Sequence, residues 1–206
     1  MTEAPWIGLQ LRKRGIRDER VLAAMARVPR ELFVPERHRE AAYADGPVPL
    51  SHGQTISQPY MVALACEGLA IGPEACVLDV GTGSGYAAAV LAELAGEVHT
   101  IERIPELAEA AGATLAAAGY ERVRVHVGDG SLGLPECAPF DAIAVAAAAK
   151  DVPLALWEQL RHDGRIAIPL LTRGRDQRFC VLQRGAGGPR LITTTRARFV
   201  PLVTID

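Results

Sequence analysis

The chain has 206 residues, of which 49% are hydrophobic and 22% are charged, and its formal net charge is −2. This size and composition are typical of one globular unit with a full hydrophobic core, so we expect residues 1–206 to form a single domain. A charge so close to zero gives no electrostatic reason to expect nucleic acid or a membrane as a partner.

Neither a targeting segment nor a cysteine framework is predicted. The first six residues, M-T-E-A-P-W, lack the basic and apolar regions of a signal peptide, and the longest apolar run, residues 142–149, is far shorter than a membrane span. The four cysteines are widely separated and form no C-x-x-C pair, so we expect neither a disulfide framework nor a metal site. We therefore expect a cytoplasmic protein with buried free thiols.

The first 75 residues are predicted to form an N-terminal helical portion that ends in a loop and one more helix. Asp18 is a suitable N-cap, and Val21, Leu22, Met25 and Val28 follow it at helical spacing. Glycines and prolines punctuate residues 41–60, which predicts an ordered loop rather than a regular element. Residues 61–69 are predicted to be helical.

From residue 76 onward, predicted strands alternate with predicted helices. The strands are 76–80, 97–102, 122–128, 140–147, 165–170, 178–184 and 191–202, and the helices are 84–94, 105–118 and a segment capped by Asp151 that includes Leu160. This alternation predicts an α/β fold with a doubly wound, mostly parallel sheet. The last two strands, which flank a glycine-rich turn, predict an antiparallel C-terminal edge.

The most informative segment is residues 77–85, V-L-D-V-G-T-G-S-G, in which a predicted strand runs into three alternating glycines. Glycine allows a sharp turn and lets a ligand approach the backbone closely. A dinucleotide fingerprint needs its third glycine where this chain has Tyr86. The observed G-x-G-x-G spacing resembles the nucleoside-binding loop of methyltransferases that use S-adenosyl-L-methionine (SAM). An NAD-dependent oxidoreductase remains a distant alternative.

Two carboxylates follow at the ends of the next two predicted strands. Glu102 is placed to accept hydrogen bonds from both ribose hydroxyls, and Asp129 is placed to reach the adenine amino group. We therefore expect SAM as cofactor and S-adenosyl-L-homocysteine as product. The predicted cofactor-binding residues are Asp79, Gly81, Thr82, Gly83, Ser84, Gly85, Glu102, Arg103, Asp129 and Gly130.

Residues 53–61, G-Q-T-I-S-Q-P-Y-M, resemble the signature of the protein-L-isoaspartate (D-aspartate) O-methyltransferase family. The resemblance extends in order over residues 16–203. It includes residues 29–35, 43–50, 77–86, 101–103, 128–130, 140–143, 160–169 and 199–202. It implies the Rossmann-like fold of SAM-dependent methyltransferases.

The resemblance also implies a reaction and a substrate. The family methylates the α-carboxylate of L-isoaspartyl residues in damaged proteins and peptides, and the ester then cyclises to a succinimide that hydrolyses partly to normal aspartate. Ser57 takes the position of the family's active-site serine, and we predict Gln54, Thr55, Ile56 and Gln58 as substrate-binding residues. The resemblance thus implies protein repair, and we expect the protein to act as a monomer.

The chemistry explains why this loop carries neutral side chains. A free α-carboxyl group has a pKa of about 3.3–3.7, so the nucleophile is already ionised at pH 7 and needs no general base. We therefore assign Ser57 to positioning. A Ser-His-Asp triad is not expected, because the spacing of His52, His99, His126 and His162 suggests no partner.

Two departures from the family pattern leave other functions open. Where the family usually has T-A-A-A-P-E, this chain has residues 146–151, A-A-A-A-K-D, so that a threonine becomes Ala146 and a proline becomes Lys150. We expect Lys150 to be a surface residue. One alternative is a SAM methyltransferase of the same lineage that acts on another carboxylate or a small molecule. The other is a protein that binds SAM without catalysis.

Overall fold

The structure is a computed structural model that describes residues 4–172 and 176–204. Residues 1–3, part of the segment in which no signal-peptide pattern was found, lie outside the described residues. None of the helices in the described ranges combines the length and the hydropathy that crossing a membrane requires.

The predicted first helix is confirmed as α1, Glu19–Arg27, and the carboxylate of Asp18 caps it by accepting the N–H of Arg20 at 2.8 Å. The N-terminal portion is helical, as predicted, but α1 is its only α-helix of several turns among the described residues before Pro29. Short helical turns make up the rest, and Pro29 and Pro35 separate those at 30–33 and 36–41 from α1 and from each other. These turns are Ile7–Leu11, Arg12–Arg14, Arg30–Phe33 and Glu36–Ala41.

Residues 41–60 form an ordered loop, as predicted, with a small ladder inside it. Strand β1, Val48–Pro49, pairs antiparallel with β2, Thr55–Ile56, around the turn Ser51–Gly53. Helix α2, Pro59–Leu69, follows with Pro59 in its first turn, where the missing N–H is not needed.

The remaining strands form one seven-stranded sheet in the order β5-β4-β3-β6-β7-β8-β9. The first five in this order are parallel, and β8 and β9 form the predicted antiparallel edge. The strands are β3 Cys76–Val80, β4 Glu97–Glu102, β5 Arg124–Val127, β6 Phe140–Val145, β7 Leu160–Leu171, β8 Gln177–Gly185 and β9 Gly188–Ala197. The connecting helices are α3 Tyr86–Ala92, α4 Pro105–Ala117 and α5 Leu154–Gln159.

The order of the strands reverses at β3. Val80 at its end lies between Ile101 of β4 and Val145 of β6, and both pairings are parallel. In open α/β sheets a ligand binds beyond the carboxyl ends of the strands at such a reversal. The loop that follows β3 therefore occupies the expected binding position.

Two local predictions need correction. Asp151 does not cap α5: Pro153 occupies the N-cap position, and the helix ends at Gln159, so Leu160 begins β7 instead of extending the helix. The expectation of buried thiols holds only for Cys66. The other three cysteines are half-buried, and all four are free: Cys66, Cys76, Cys137 and Cys180.

The N-terminal residues and the sheet share one hydrophobic core. Ile7, Leu11 and Met25 belong to the same buried cluster as Tyr86 of α3 and Val181 of β8. A second cluster fills the other face of the sheet beneath α5. The N-terminal portion is thus packed directly against the α/β core.

Two glycines inside helices give a matched test of this packing. A Cβ on Gly68 of α2 would lie 2.6 Å from Cγ2 of Val181, so we expect Gly68→Ala to push α2 away from β8 and to lower the free energy of unfolding by about 1–3 kcal/mol. A Cβ on Gly112 of α4 would lie 4.0 Å from Val125, an ordinary contact distance. Gly112→Ala should therefore raise the free energy of unfolding by about 0.5–1 kcal/mol. Urea unfolding measures both, and equal effects would contradict the described packing of α2.

Candidate active site

The three loop glycines after β3 have positive φ angles but different roles. Gly81 (φ 97°) and Gly83 (φ 55°) line a cleft above the sheet, and Gly81 donates its N–H to the carbonyl of Ile101 at 2.9 Å. A Cβ on Gly85 (φ 88°) would lie 3.0 Å from Cγ of Leu115 in α4. Gly85 therefore allows the α3–α4 packing, and only the first two glycines border ligand space.

We call this space the glycine cleft; together with its mouth, which is open to solvent, it measures about 590 Å³. Seven of the residues that line it were predicted as cofactor or substrate contacts: Gln54, Thr55, Gly81, Gly83, Glu102, Arg103 and Gly130. The sequence did not predict the opposite wall, which consists of Ala146, Ala147 and residues 200–203.

Glu102 is held rigidly at the edge of the glycine cleft. Its side chain is 6% exposed, its Oε2 accepts the N–H of Gly83 at 3.0 Å, and its Oε1 accepts the N–H of Ile104 at 3.1 Å. A carboxylate has about four acceptor positions, so two remain for hydroxyl donors in the cleft. This geometry fits recognition of a ribose diol.

Asp79 and Thr82 lie beneath the loop. Thr82 donates to Thr100 (2.7 Å between the hydroxyl oxygens), and Thr100 donates to Oδ2 of Asp79 at 2.8 Å. Asp79 is 1% exposed, and burial raises its pKa to about 7; the hydrogen bond from Thr100 opposes this shift, and the charge of Glu102 adds to it. Asp79 lines a second cavity instead of the glycine cleft, and Thr82 supports the loop from below.

Ser84 and Asp129 stabilise the turns beside the glycine cleft. Oγ of Ser84 accepts the N–H of Tyr86 at 3.4 Å, at the start of α3. The carboxylate of Asp129 accepts the N–H of Ser131 at 2.8 Å and caps the turn Gly130–Leu132. Both residues were themselves predicted to bind the cofactor; in the structure their side chains stabilise the backbone beside the glycine cleft and are not among the residues that line it.

The predicted substrate loop lies where three spaces meet. Ser57 lines a largely apolar inner pocket, which it shares with Asp79, Ala146 and Phe199, and also an outer groove between this loop and the end of β9. Thr55 lines both the outer groove and the glycine cleft. The loop therefore connects the cleft at the cofactor position with the groove that opens to solvent.

The other three loop residues differ in placement. Ile56 is 4% exposed and packs in the core, so its side chain supports the loop and does not face the cleft. Gln58 lines the outer groove and donates to Oδ1 of Asp45 at 2.5 Å. Gln54 lines the glycine cleft and donates to the carbonyl of His52 at 3.2 Å.

Sequence reasoning missed the role of Arg30. Its side chain is fully buried, and it donates from Nε to the carbonyl of Ala42 at 2.7 Å and from Nη2 to the carbonyl of Ser57 at 2.8 Å. The guanidinium carbon lies 4.4 Å from the centre of the Tyr86 ring. Burial lowers the pKa of Arg30, but an arginine stays charged. Only its membership in the family-like segment 29–35 marked this residue in the sequence.

The predicted strand 191–202 extends too far: β9 ends at Ala197, and residues 200–203 line the glycine cleft instead. Ala148 donates its N–H to the carbonyl of Val200 at 2.7 Å, and Leu202 donates to the carbonyl of Ala148 at 2.8 Å. These bonds hold the segment against the end of β6, where Ala146 lines both the glycine cleft and the inner pocket. Lys150 is exposed, as expected.

The histidines do not form a catalytic triad with Ser57. His52 is exposed, and no histidine of the described ranges lines the inner pocket or the outer groove. His99 and His126, in contrast, lie 3.0 Å apart between Nδ1 and Nε2, although their spacing in the sequence suggested no partner. Register between neighbouring strands, which spacing does not reveal, brings them together.

Three features are typical of the SAM-dependent methyltransferase class. They are the glycine loop at the strand reversal, the buried carboxylate of Glu102 at the end of the next strand, and the cleft at the carboxyl edge of the sheet. The profile of the protein-L-isoaspartate(D-aspartate) O-methyltransferase family matches residues 7–206. The chain belongs to this family.

Individual relatives agree with this membership. The chain is 52% identical over 193 residues to the protein-L-isoaspartate O-methyltransferase of Gloeobacter violaceus, covering 94% of each chain. It is 54% identical to protein-L-isoaspartate O-methyltransferase 2 of Marinobacter nauticus, covering 94% of this chain and 89% of that one. A Plasmodium falciparum protein whose structure is a complex with S-adenosyl-L-homocysteine is 26% identical. It superposes with a TM-score of 0.82 over 98% of this chain and 99% of that one.

The placement of Glu102 predicts its effect on cofactor affinity. Because a hydrogen bond to a charged group contributes about 1.5–3 kcal/mol, we expect Glu102→Gln to raise the Kd for SAM by about 10- to 150-fold. Isothermal titration calorimetry measures this, with the exposed Glu109→Gln as a control that should bind like the original chain. An unchanged Kd in Glu102→Gln would rule out the ribose contact.

The raised pKa of Asp79 predicts a pH dependence of stability. The folded-state value of about 7 lies above the unfolded value of about 3.9, so the folded state binds more protons between these limits. The contribution of Asp79 to the free energy of unfolding is thus fully present below about pH 4. It is lost as the pH rises to about 7, by at most about 1.4 kcal/mol per pH unit. Urea unfolding from pH 4 to pH 8 should show this decline, and Asp79→Asn should reduce it. Parallel curves for both proteins would contradict this burial effect.

Proposed function

We propose that this protein methylates the α-carboxylate of L-isoaspartyl residues in damaged proteins and peptides, with SAM as methyl donor, and so starts their repair through a succinimide. The observation that carries the proposal is the position of the Thr55–Ser57 loop between the glycine cleft and the outer groove. A cofactor in the cleft and a peptide in the groove would meet at this loop.

The residues of the glycine cleft fit SAM. Gly81 and Gly83 present backbone without a Cβ, and Glu102 has acceptor positions to spare for the ribose hydroxyls. Arg103 and Gly130 complete the predicted contacts in this cleft, and Asp79, Thr82, Ser84, Gly85 and Asp129 hold its floor and turns. When bound, SAM supplies a methyl group activated by a sulfonium.

The outer groove fits a peptide that carries a carboxylate. Arg14, Arg196 and Arg198 line it. Asp45 pairs with Arg14 at 2.9 Å, so Arg196 and Arg198 supply the positive charge at the entrance, while Ser57 lies towards the interior. The α-carboxylate of an isoaspartyl residue is ionised at pH 7 and needs no base, so the groove has only to orient it and to exclude water.

We assign Ser57 to orienting this carboxylate. A neutral hydroxyl donor fixes a carboxylate without forming an ion pair that would reduce its nucleophilicity. Arg30 holds the carbonyl of Ser57 at 2.8 Å and so fixes the backbone from which this hydroxyl projects. Gln54, Thr55 and Gln58 are the neighbouring polar side chains that border the cleft or the groove.

Ala146 favours a second candidate function: methylation of another carboxylate or of a small molecule. It lines both the glycine cleft and the inner pocket, where it replaces the hydroxyl that the family pattern usually provides. This leaves an apolar wall at the meeting point of the two spaces. Identity of 52–54% to proteins named protein-L-isoaspartate O-methyltransferase supports the first function over this one.

The cellular setting is part of the same proposal. The family name implies protein or peptide substrates. We propose that the chain acts as a monomeric single-domain protein in the cytoplasm, without nucleic acid or membrane as a partner. Four free cysteines support a reducing compartment.

Transfer of labelled methyl groups tests the proposed substrate. We expect methyl incorporation from SAM into a peptide with one L-isoaspartyl residue, and no incorporation into its normal L-aspartyl twin, because only the former places a free α-carboxylate on the side branch. Equal labelling of both peptides, or of a small carboxylate alone, would support the second candidate. SAM binding without transfer to any acceptor would indicate a non-catalytic protein.

Ser57→Ala separates positioning from cofactor binding. Loss of one hydrogen bond to a charged group should lower kcat/KM for the isoaspartyl peptide by about 10- to 150-fold, while the Kd for SAM stays nearly unchanged. Ser51→Ala, an exposed change in the turn before the loop, serves as the control. If the affinity for SAM falls as strongly as the transfer rate, Ser57 does not have the assigned role.

A further inference from the structure

We propose that His99, His126 and Cys137 form a binding site for a thiophilic divalent ion such as Zn²⁺. The three residues come from β4, from β5 and from the turn Pro135–Cys137. They lie on one flank of the sheet, and none of them lines the glycine cleft or the outer groove. Since His99 precedes Glu102 by three residues, the site is about 10 Å from the cleft along β4.

The strand register places the ligand atoms together. Arg124 of β5 lies opposite His99, and His126, two residues further on, presents its side chain on the same face. Nδ1 of His99 and Nε2 of His126 are 3.0 Å apart, and the ligand atoms of the two histidines and Cys137 all lie within 4.8 Å of one another. Two nitrogen ligands of a tetrahedral zinc ion are about 3.4 Å apart, and a nitrogen and a sulfur ligand about 3.6 Å apart. The two histidines therefore need to separate by a few tenths of an ångström, and the half-buried Cys137 has to move inward by up to about 1 Å.

A carboxylate orients His99 as in many metal sites. Nε2 of His99 lies 3.1 Å from Oε1 of Glu97, and the same oxygen pairs with Nη1 of Arg124 at 2.7 Å. A neutral histidine whose Nε2–H donates to Glu97 has its lone pair on Nδ1, which is the nitrogen that faces His126. Such a carboxylate–histidine pair fixes the tautomer and raises the basicity of the ligand nitrogen.

Burial further restricts His99. Its side chain is 2% exposed, and its ring packs edge-on against Phe140 with 6.1 Å between ring centres. The His126 ring stacks on it at 5.2 Å. One ligand is therefore rigid, whereas the other two are half-buried and accessible to an ion from solvent.

The donor set indicates the class of ion. Two imidazole nitrogens and one thiolate suit zinc and similar borderline-soft ions, whereas Mg²⁺ and Ca²⁺ prefer oxygen ligands. Binding requires the Nε2 proton of His126 to move to its Nδ1, so that both histidines stay neutral, and releases the thiol proton of Cys137 to solvent; a water molecule completes four-fold coordination. The ion would tie the turn Pro135–Cys137 to the neighbouring strands β4 and β5.

A second group of candidate ligands shares His99. Cys76, Glu97 and His99 also lie within 4.8 Å of one another. We assign the ion to the first group because Nε2 of His99 already bonds Glu97, and Arg124 already neutralises that carboxylate.

Cobalt titration tests the proposal, because Co²⁺ replaces Zn²⁺ and is visible spectroscopically. The full, tag-free chain is treated with a chelator and titrated with Co²⁺ alone. We expect one equivalent to produce a thiolate-to-cobalt charge-transfer band and tetrahedral d–d bands, which Zn²⁺ then abolishes. Zn²⁺ should also raise the Tm.

Four variants locate the ion. Cys137→Ser should abolish the charge-transfer band, His126→Gln should prevent binding at micromolar Co²⁺, and Glu97→Gln should weaken binding by about 10- to 100-fold. Cys180→Ser, which changes a half-buried thiol on β8, is the matched control and should bind like the original chain. Circular dichroism verifies folding, and His126→Gln at the accessible side replaces Cys137→Ser if the latter does not fold.

Three results would overturn the proposal. The first is the absence of cobalt bands at equimolar concentrations in the unmodified chain. The second is a charge-transfer band that persists in folded Cys137→Ser. The third is a band lost in Cys76→Ser but kept in Cys137→Ser, which would assign the ion to the group with Cys76.

Discussion

The buried guanidinium of Arg30 connects the parts from which the active site is built. It binds the carbonyls of Ala42 and Ser57 and lies over the ring of Tyr86, the residue that begins α3 directly after the glycine loop. A charged group removed from water is costly unless its donors are satisfied. The two carbonyls satisfy Nε and Nη2, whereas the buried Nη1 has no hydrogen-bond partner among the described residues. Residues 42 and 57 and the start of α3 are therefore held against this one side chain.

The polar groups on the cofactor side are also held in place by hydrogen bonds to the backbone and to one another. Glu102 receives two backbone N–H groups from the loops on both sides of it, and the Thr82–Thr100–Asp79 chain holds the glycine loop from beneath. The sheet reversal at β3 gathers these groups at one edge. In the proposed function, rigid backbone positions let the site recognise a charged cofactor and a charged substrate without a catalytic base or a covalent step.

Much of this arrangement could be predicted from residues 76–130, because a strand followed by alternating glycines has few structural solutions. Local patterns failed where tertiary contacts decide. Helix α5 is short because Leu160 completes the pairing with Phe140 and begins β7. Ile56 faces the core because the β1–β2 ladder turns it inward. Three further features join segments that are far apart in the sequence, so residue spacing does not predict them. They are the pairing of His99 with His126, the cleft wall formed by residues 200–203, and the hydrogen bond from Arg30 to Ser57.

The central claim is that Arg30 positions the Ser57 loop for methyl transfer without contacting the cofactor. The most direct measurement compares Arg30→Met with the original chain, with kcat/KM measured for an isoaspartyl peptide and the Kd measured for SAM. Methionine preserves the apolar packing but removes both donors. We predict that kcat/KM falls by about 10- to 150-fold while the Kd changes less than about threefold in a protein that remains folded by circular dichroism. Unchanged transfer, or an equal loss of SAM affinity, would contradict the claim.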